Sequence, residues 1–111
     1  MAYQNLTPTK LGQGTIGVGV TTLYTVPAST RAIVKRMAVC NTTGAGITLR
    51  LFLVPSAGAA GTGNAIVYDA TVAANGAYND TGIHILHSGD TIQTQAGGAG
   101  LTITVSGLEA T

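Results

Sequence analysis

Leu101-Thr102-Ile103-Thr104-Val105-Ser106 alternates aliphatic and hydroxyl side chains without a break. Successive strand residues point to opposite faces of a sheet, so a strict period of two describes a strand with one buried and one wet face. Ile47-Thr48-Leu49-Arg50-Leu51-Phe52-Leu53-Val54 repeats the theme with Ile47, Leu49, Leu51 and Leu53 on one face. Its other face carries Thr48, Arg50, Phe52 and Val54, and is less polar than water prefers. Residues 32–40 form a longer β-rich run in which Lys35 and Arg36 fall on opposite sides. A β-bulge beside them would bring the apolar positions back into line.

Residues 20–26, 64–72, 82–86 and 91–96 complete the strand set, and no stretch shows helical periodicity. Asn41-Thr42-Thr43-Gly44-Ala45-Gly46 and Gln95-Ala96-Gly97-Gly98-Ala99-Gly100 read as hairpin connections, and residues 26–30 as a short turn. Residues 55–64, with Gly58, Gly61 and Gly63, form a longer, exposed and mobile connection. In Leu86-His87-Ser88-Gly89-Asp90-Thr91-Ile92, Gly89 suits a positive-φ turn and Asp90 can tie the turn backbone before the next strand. Short strands at this spacing predict an all-β fold: a single antiparallel β-sandwich of seven to eight strands, jelly-roll or immunoglobulin-like. The inward face is expected to hold Ile47, Leu49, Leu51, Leu53, Ile92, Leu101, Ile103 and Val105.

Residues 1–19 differ from the rest, holding Pro8, Gly12, Gly14, Gly17 and Gly19 with weak alternation. They read as an extended N-terminal arm, with a short strand near residues 6–11, preceding a sandwich domain at 20–111. Two readings stand: a frayed terminus, or an arm that pairs with a neighbouring subunit through Leu6, Leu11 and Ile16.

Five basic and four acidic residues are the whole charge inventory, 8% of the chain, and mean hydropathy is +0.36. A typical soluble domain is about a quarter charged. A monomer relies on surface charge to stay dispersed, so this chain is expected to cover part of its surface with copies of itself or with a partner. A polar Thr/Asn/Gly surface is the competing explanation. The formal net charge of +1 offers nothing to a polyanion, so no nucleic-acid partner is expected. Apolar runs fall short of a membrane span, and residues 1–5 lack the features of a secretory signal. Cys40, the single cysteine, has no internal disulfide partner and reads as a small buried hydrophobe, consistent with folding in a reducing cytoplasm.

Catalytic and ligand-binding patterns are sparse. His84 and His87, three apart on a strand, point to opposite faces, so with Asp90 they make a poor metal site. Asp69 and Asp80 flank a turn, where carboxylates ordinarily accept backbone N–H groups. Ser29, Ser56, Ser88 and Ser106 lack a nucleophile elbow, and Gly12-Gln13-Gly14 lacks the strand–loop–helix setting of a phosphate loop. No enzyme activity, metal or cofactor is expected. Lys10, Arg31, Lys35, Arg36 and Arg50 would form a basic patch if strands 32–40 and 47–54 pair. Trp is absent and aromatics are few, which disfavours a stacking platform for sugars or bases.

Leu23-Tyr24-Thr25-Val26-Pro27-Ala28, Ala32-Ile33-Val34-Lys35 running into Val39-Cys40-Asn41-Thr42-Thr43-Gly44, Leu53-Val54-Pro55-Ser56, and the Leu86/Gly89/Asp90/Ile92 pattern together resemble small β-sandwich virion proteins of tailed bacteriophages. The resemblance is diffuse, runs over residues 20–109 and transfers no individual functional residue. It implies assembly on a head or tail, often as a trimer, and no catalysis. The expected function is a capsid decoration (cement) protein of the virion, made in the host cytoplasm. Its expected partners are itself, as a homotrimer, and the major capsid protein or another virion protein. A tail, baseplate or head-fibre attachment module and a carbohydrate- or receptor-binding module are the alternatives. The interface candidates are Leu6, Leu11 and Ile16 in the arm, and Arg50, Phe52 and Val54 on the mixed face of their strand.

Overall fold

A computed structural model describes residues 5–111. Its strands are β1 (Leu6–Ile16), β2 (Thr21–Thr25), β3 (Arg31–Asn41), β4 (Ile47–Val54), β5 (Ala65–Val72), β6 (Ala77–Asp80), β7 (His84–Leu86), β8 (Thr91–Ala96) and β9 (Leu101–Ala110), with one 3-10 turn at Thr62–Asn64. Two antiparallel sheets face each other. Sheet A has the order β1-β9-β3-β6, with β7 also on β3, and sheet B the order β2-β8-β4-β5. β6 and β7 run along one side of β3 as a single interrupted strand, pairing residues 37–40 and 32–34.

The pairings nest. β4 pairs β5, β3 pairs β6 and β7, β2 pairs β8, and β1 pairs β9. This is one long hairpin folded over, and the further pairings β3–β9 and β4–β8 close it into a roll. The nested order is that of a jelly roll, which settles the topology that strand counting left open.

Between the sheets lie Val34, Met37, Val39, Leu49, Leu51, Ile92, Leu101, Ile103 and Val105, all at most 1% exposed. Every member of the expected inward face points there; Ile47 joins the buried core, and Leu53, paired with Ile92, packs half-buried against it. The bulge expected near Lys35 exists: the β3–β9 register shifts between Val34 and Arg36. Val34 and Met37 are both fully buried, so Lys35 and Arg36 both face out. A second bulge at the same height, between Lys10 and Gly12, shifts β1 against the other side of β9. Between them Gly107 lies so close to β3 that a Cβ there would stand 2.0 Å from the Ile33 carbonyl oxygen.

Several expectations are corrected. Residues 6–16 are not a separate arm but an edge strand, paired with β9 over ten residue pairs. Its alternation is masked in the sequence because the bulge puts Leu11 out of phase and the glycines carry no side chain. Pro8 fits because an edge strand leaves one row of backbone donors unpaired. Residues 1–4 of the expected arm lie outside the described residues. The connections at 41–46 and 97–100 are not hairpins: each carries the chain from one sheet to the other. Asn41, 1% exposed, organises the first. It donates to the Ala45 and Val72 carbonyls at 2.8 and 3.0 Å and accepts from the Thr43 backbone and hydroxyl at 2.9 and 2.7 Å. Cys40 is exposed on the outside of sheet A rather than buried.

Candidate interaction surface

Directly paired residues on neighbouring strands share a face, so register and burial together say what each sheet shows to solvent. On sheet B, Phe52 pairs with Gln93 and Val54 with Thr91, whereas Leu53 pairs with the core residue Ile92. Phe52 and Val54 therefore lie on the outer face, as the alternation predicts, yet they are 3% and 1% exposed. The 55–64 connection covers them. Its 3-10 turn packs on β4, and Val54 Cγ1 lies 3.4 Å from where a Cβ on Gly58 would sit. The loop is tied down by the Ser56 N–H on Asp90 Oδ1 at 2.9 Å and braced internally by the Asn64 side-chain amide on the Ala59 carbonyl at 2.9 Å. Phe52 and Val54 are thus excluded as interface residues, and so are Leu11 and Ile16, 5% and 2% exposed inside the sandwich. Of the arm's candidates, Leu6 alone is exposed.

Arg50 sits further along the same outer face. Bulges in β5 displace Tyr68 and Asp69 from the ladder, and Asp69 adopts φ 56°. The Asp69 carboxylate accepts two bonds from the Arg50 guanidinium, at 2.6 and 3.1 Å, and Gln95 Oε1 accepts a third at 3.4 Å. The guanidinium also stacks 4.2 Å from the Tyr68 ring centre. The Asp69 hydrogen bonds hold Arg50 above its ordinary pKa, and the same bonds hold the Asp69 carboxyl below the usual carboxylate range. With Val18, Thr48, Ala96 and Gly97 these groups line a surface depression of about 230 Å³. Its one cation is already engaged on three sides, so the cluster rivets β4, β5 and β8 together.

Asp90 ties its turn as expected: its carboxylate accepts the His87 and Ser56 N–H groups, each at 2.9 Å, beside Gly89 at φ 86°. Asp80 accepts the Gly82 N–H at 2.9 Å and contacts His84 Nε2 at 3.1 Å. Asp69 departs from the expected backbone-capping role by pairing with Arg50, so the two aspartates do not converge. Glu109 turns in from β9 and accepts the Tyr24 hydroxyl at 2.5 Å. Burial first, and then this hydrogen bond and the Glu109 charge, push the Tyr24 phenol above its usual pKa. Among the described residues no three His, Cys, Asp or Glu side chains cluster as metal ligands. β3 and β4 belong to different sheets, so the expected single basic patch does not form. Arg50 lies on the outside of sheet B, and Lys10, Arg31, Lys35 and Arg36 on sheet A.

Among the described residues the exposed large apolar side chains are Leu6, Val18, Val20, Tyr68, Ile83 and Ile85, on outer strands or in connections. Sequence reading missed Val18, Val20, Ile83 and Ile85. Val18, Val20 and Ile83 lie in connections and Ile85 on the outer face of an edge strand, placements that follow from how the strands are ordered.

No protein-family model matches the chain, and no curated protein matches it. Among solved structures it is similar to a chain from Bacillus endospore appendages, described as a family of disulfide-linked pili. The identity is 17% and the TM-score 0.53, covering 100% of this chain and 94% of that one. It is also similar to a chain from infectious bursal disease virus, Gx strain, at 13% identity and TM-score 0.49, covering 96% of this chain and 32% of that one. At such identities the likeness is one of fold, and the appendage match runs nearly end to end in both chains.

Proposed function

We propose that this chain is a structural subunit of a particle or filament surface and, within that class, a capsid decoration protein carried on the outside of a head as a homotrimer. The observation that carries the reading is the exposure of Ile83, Ile85, Leu6 and Val18, each at least 60%, on a chain with only 8% charged residues. Apolar side chains left in water around a well-packed sandwich mark contact surfaces. Many weak contacts repeated symmetrically over a shell add up, because each clamped joint must open before the shell does. The resemblance of residues 20–109 to small phage virion proteins supports a virion surface, on a head or on a tail.

A second reading, a subunit of a pilus-like appendage, is favoured by the end-to-end fold match to the Bacillus endospore appendage chain. Covalent polymerisation of the kind named for those pili does not follow from it. One exposed cysteine per copy joins copies in pairs, and a disulfide-linked filament needs at least two. The test combines sedimentation equilibrium at micromolar concentration with immunogold electron microscopy of particles from the producing culture. A trimer and gold on heads are expected. Gold on filaments selects the second reading, gold on tails a tail module, and a monomer that labels no particle overturns both.

A further inference from the structure

On the outer face of sheet A, Ile33 of β3 pairs with Ile85 of β7 on one side and with Leu108 of β9 on the other. Leu108 in turn pairs with Pro8 of β1. Pro8, Leu108, Ile33 and Ile85 thus form one continuous apolar row across four strands. Ile85 is 60% exposed and Ile83, beside it, 61%. Among the described residues no connection folds over this row as residues 55–64 fold over Phe52 and Val54.

The row has a charged border of one sign. The two bulges flanking Gly107 turn Lys10, Lys35 and Arg36 outward at the same height, one step from the row. Lys10 donates to Gln13 Oε1 at 2.9 Å and Arg36 to Asn79 Oδ1 at 3.0 Å, both neutral acceptors. Among the described residues no carboxylate is paired with Lys10, Lys35 or Arg36. Every side-chain carboxylate of the chain is committed elsewhere. Asp69 holds Arg50, Asp80 holds His84 and the Gly82 N–H, Asp90 holds two backbone N–H groups, and Glu109 holds Tyr24.

We propose that the outer face of sheet A docks a partner protein whose surface carries carboxylates beside an apolar patch, with Ile33, Ile85 and Leu108 at the centre and Lys10, Lys35 and Arg36 at the rim. Charge selects this occupant. A second copy of the chain offers no uncommitted side-chain carboxylate, and two such faces brought together set like charges opposite each other. A nucleic acid would meet only a short basic row with no aromatic platform, and its phosphates would find no use for the aliphatic centre. The same face would serve on a head or a tail, so the proposal does not depend on which of these carries the chain; a filament built of this chain alone would make its contacts through another surface.

The experiment pans a displayed random-peptide library on the immobilised protein, then maps the enriched peptide by amide chemical shifts and measures its affinity by fluorescence anisotropy. Enriched sequences are expected to set Asp or Glu beside Leu, Ile or Val and to shift the amides of Ile33, Ile85 and Leu108. The double variant Lys35→Glu/Arg36→Glu should weaken binding by about tenfold or more, the scale of an interfacial charge contact of about 1.4 kcal/mol. A peptide with its acids changed to Lys should regain affinity for that variant. Enrichment without acidic residues, or shifts confined to another face, overturns the proposal. Two control outcomes also overturn it. Duplex DNA or phosphatidylserine vesicles binding this face more tightly than any selected peptide would reassign it to an anionic polymer or a membrane. Self-association abolished by Ile85→Asp would reassign it to a second copy.

Discussion

The outer faces of the two sheets start from the same problem and resolve it differently. Each carries large apolar side chains on the solvent side of a β-strand: Phe52 and Val54 on sheet B, Ile33, Leu108 and Ile85 on sheet A. Sheet B has a long connection at hand, and residues 55–64 fold back and seal its pair. The β6–β7 junction on sheet A is only three residues, 81–83, which cannot reach over a four-strand row. Charge divides the same way. Arg50 on sheet B has its own carboxylate, while Lys10 and Arg36 on sheet A have neutral partners and Lys35 is paired with no carboxylate among the described residues. One face is covered by the chain itself; the other keeps its apolar row and its basic border open among the described residues.

The largest expected effect tests whether sheet A depends on the approach of its strands at the paired bulges. Gly107→Val places a branched side chain where even a Cβ meets the Ile33 carbonyl at 2.0 Å. Backbone cannot yield as a flexible side chain can, so a loss of about 3–5 kcal/mol is expected in urea unfolding. An unfolding midpoint near that of the parent would show that β9 is not held so tightly between β1 and β3.

The comparison itself is tested by a pair of truncations. Phe52→Ala should cost about 3–5 kcal/mol, the usual range for a buried phenylalanine. Ile85→Ala should stay within about 0.5 kcal/mol, as for an exposed side chain. Equal losses would mean that the two outer faces are covered alike.

Tyr24→Phe sharpens the view of the open edge between the sheets, where β2 meets β9. Leaving the half-buried Glu109 carboxylate without its donor should cost about 1–3 kcal/mol. The Tyr24 pKa is raised in the fold, so its contribution is full below about pH 10 and is lost as pH climbs toward the folded-state value. The parent should therefore lose stability faster than the variant in alkaline thermal melts.

The smallest effect concerns the surface rivet. The Asp69 pKa is lowered in the fold, so its pairing contributes above about pH 4 and is lost as pH falls through the lowered value. Arg50 carries a raised pKa and stays charged throughout that range. The Tm gap between the parent and Arg50→Gln should be largest near neutrality and close as pH falls through the acid range. A gap independent of pH would mean that Arg50 acts through its stacking on Tyr68.

Strand identity was legible wherever alternation ran unbroken, as at residues 47–54 and 101–106, because period two is a local property. The bulge at Lys35 and Arg36 was legible for a related reason: it is a fault in an otherwise regular pattern. β1 was not, since Leu11 is itself the extra residue and Gly12 and Gly14 leave blanks. The connections at 41–46 and 97–100 have hairpin composition, and only the packing of the sheets sends their strands apart. Arg50 was marked as a surface residue, but its partner Asp69 reaches it only through a bulge that the sequence does not announce. The apolar row of sheet A draws one residue from each of four strands. A sequence read linearly scatters those residues, and register alone assembles them.

The nested pairing also fixes how the molecule carries load. Its outermost pair brings the backbones of Asn5 and Thr111 into mutual hydrogen bonds of 3.0 and 2.9 Å, so both ends of the described chain leave at one corner. Tension between those ends would part β1 from β9 one rung at a time, like a zipper, because antiparallel strands pulled from the same end never share the force. Force applied across a sheet face instead loads many rungs together. A subunit wound this way resists strain when gripped by its faces and yields when held by its termini.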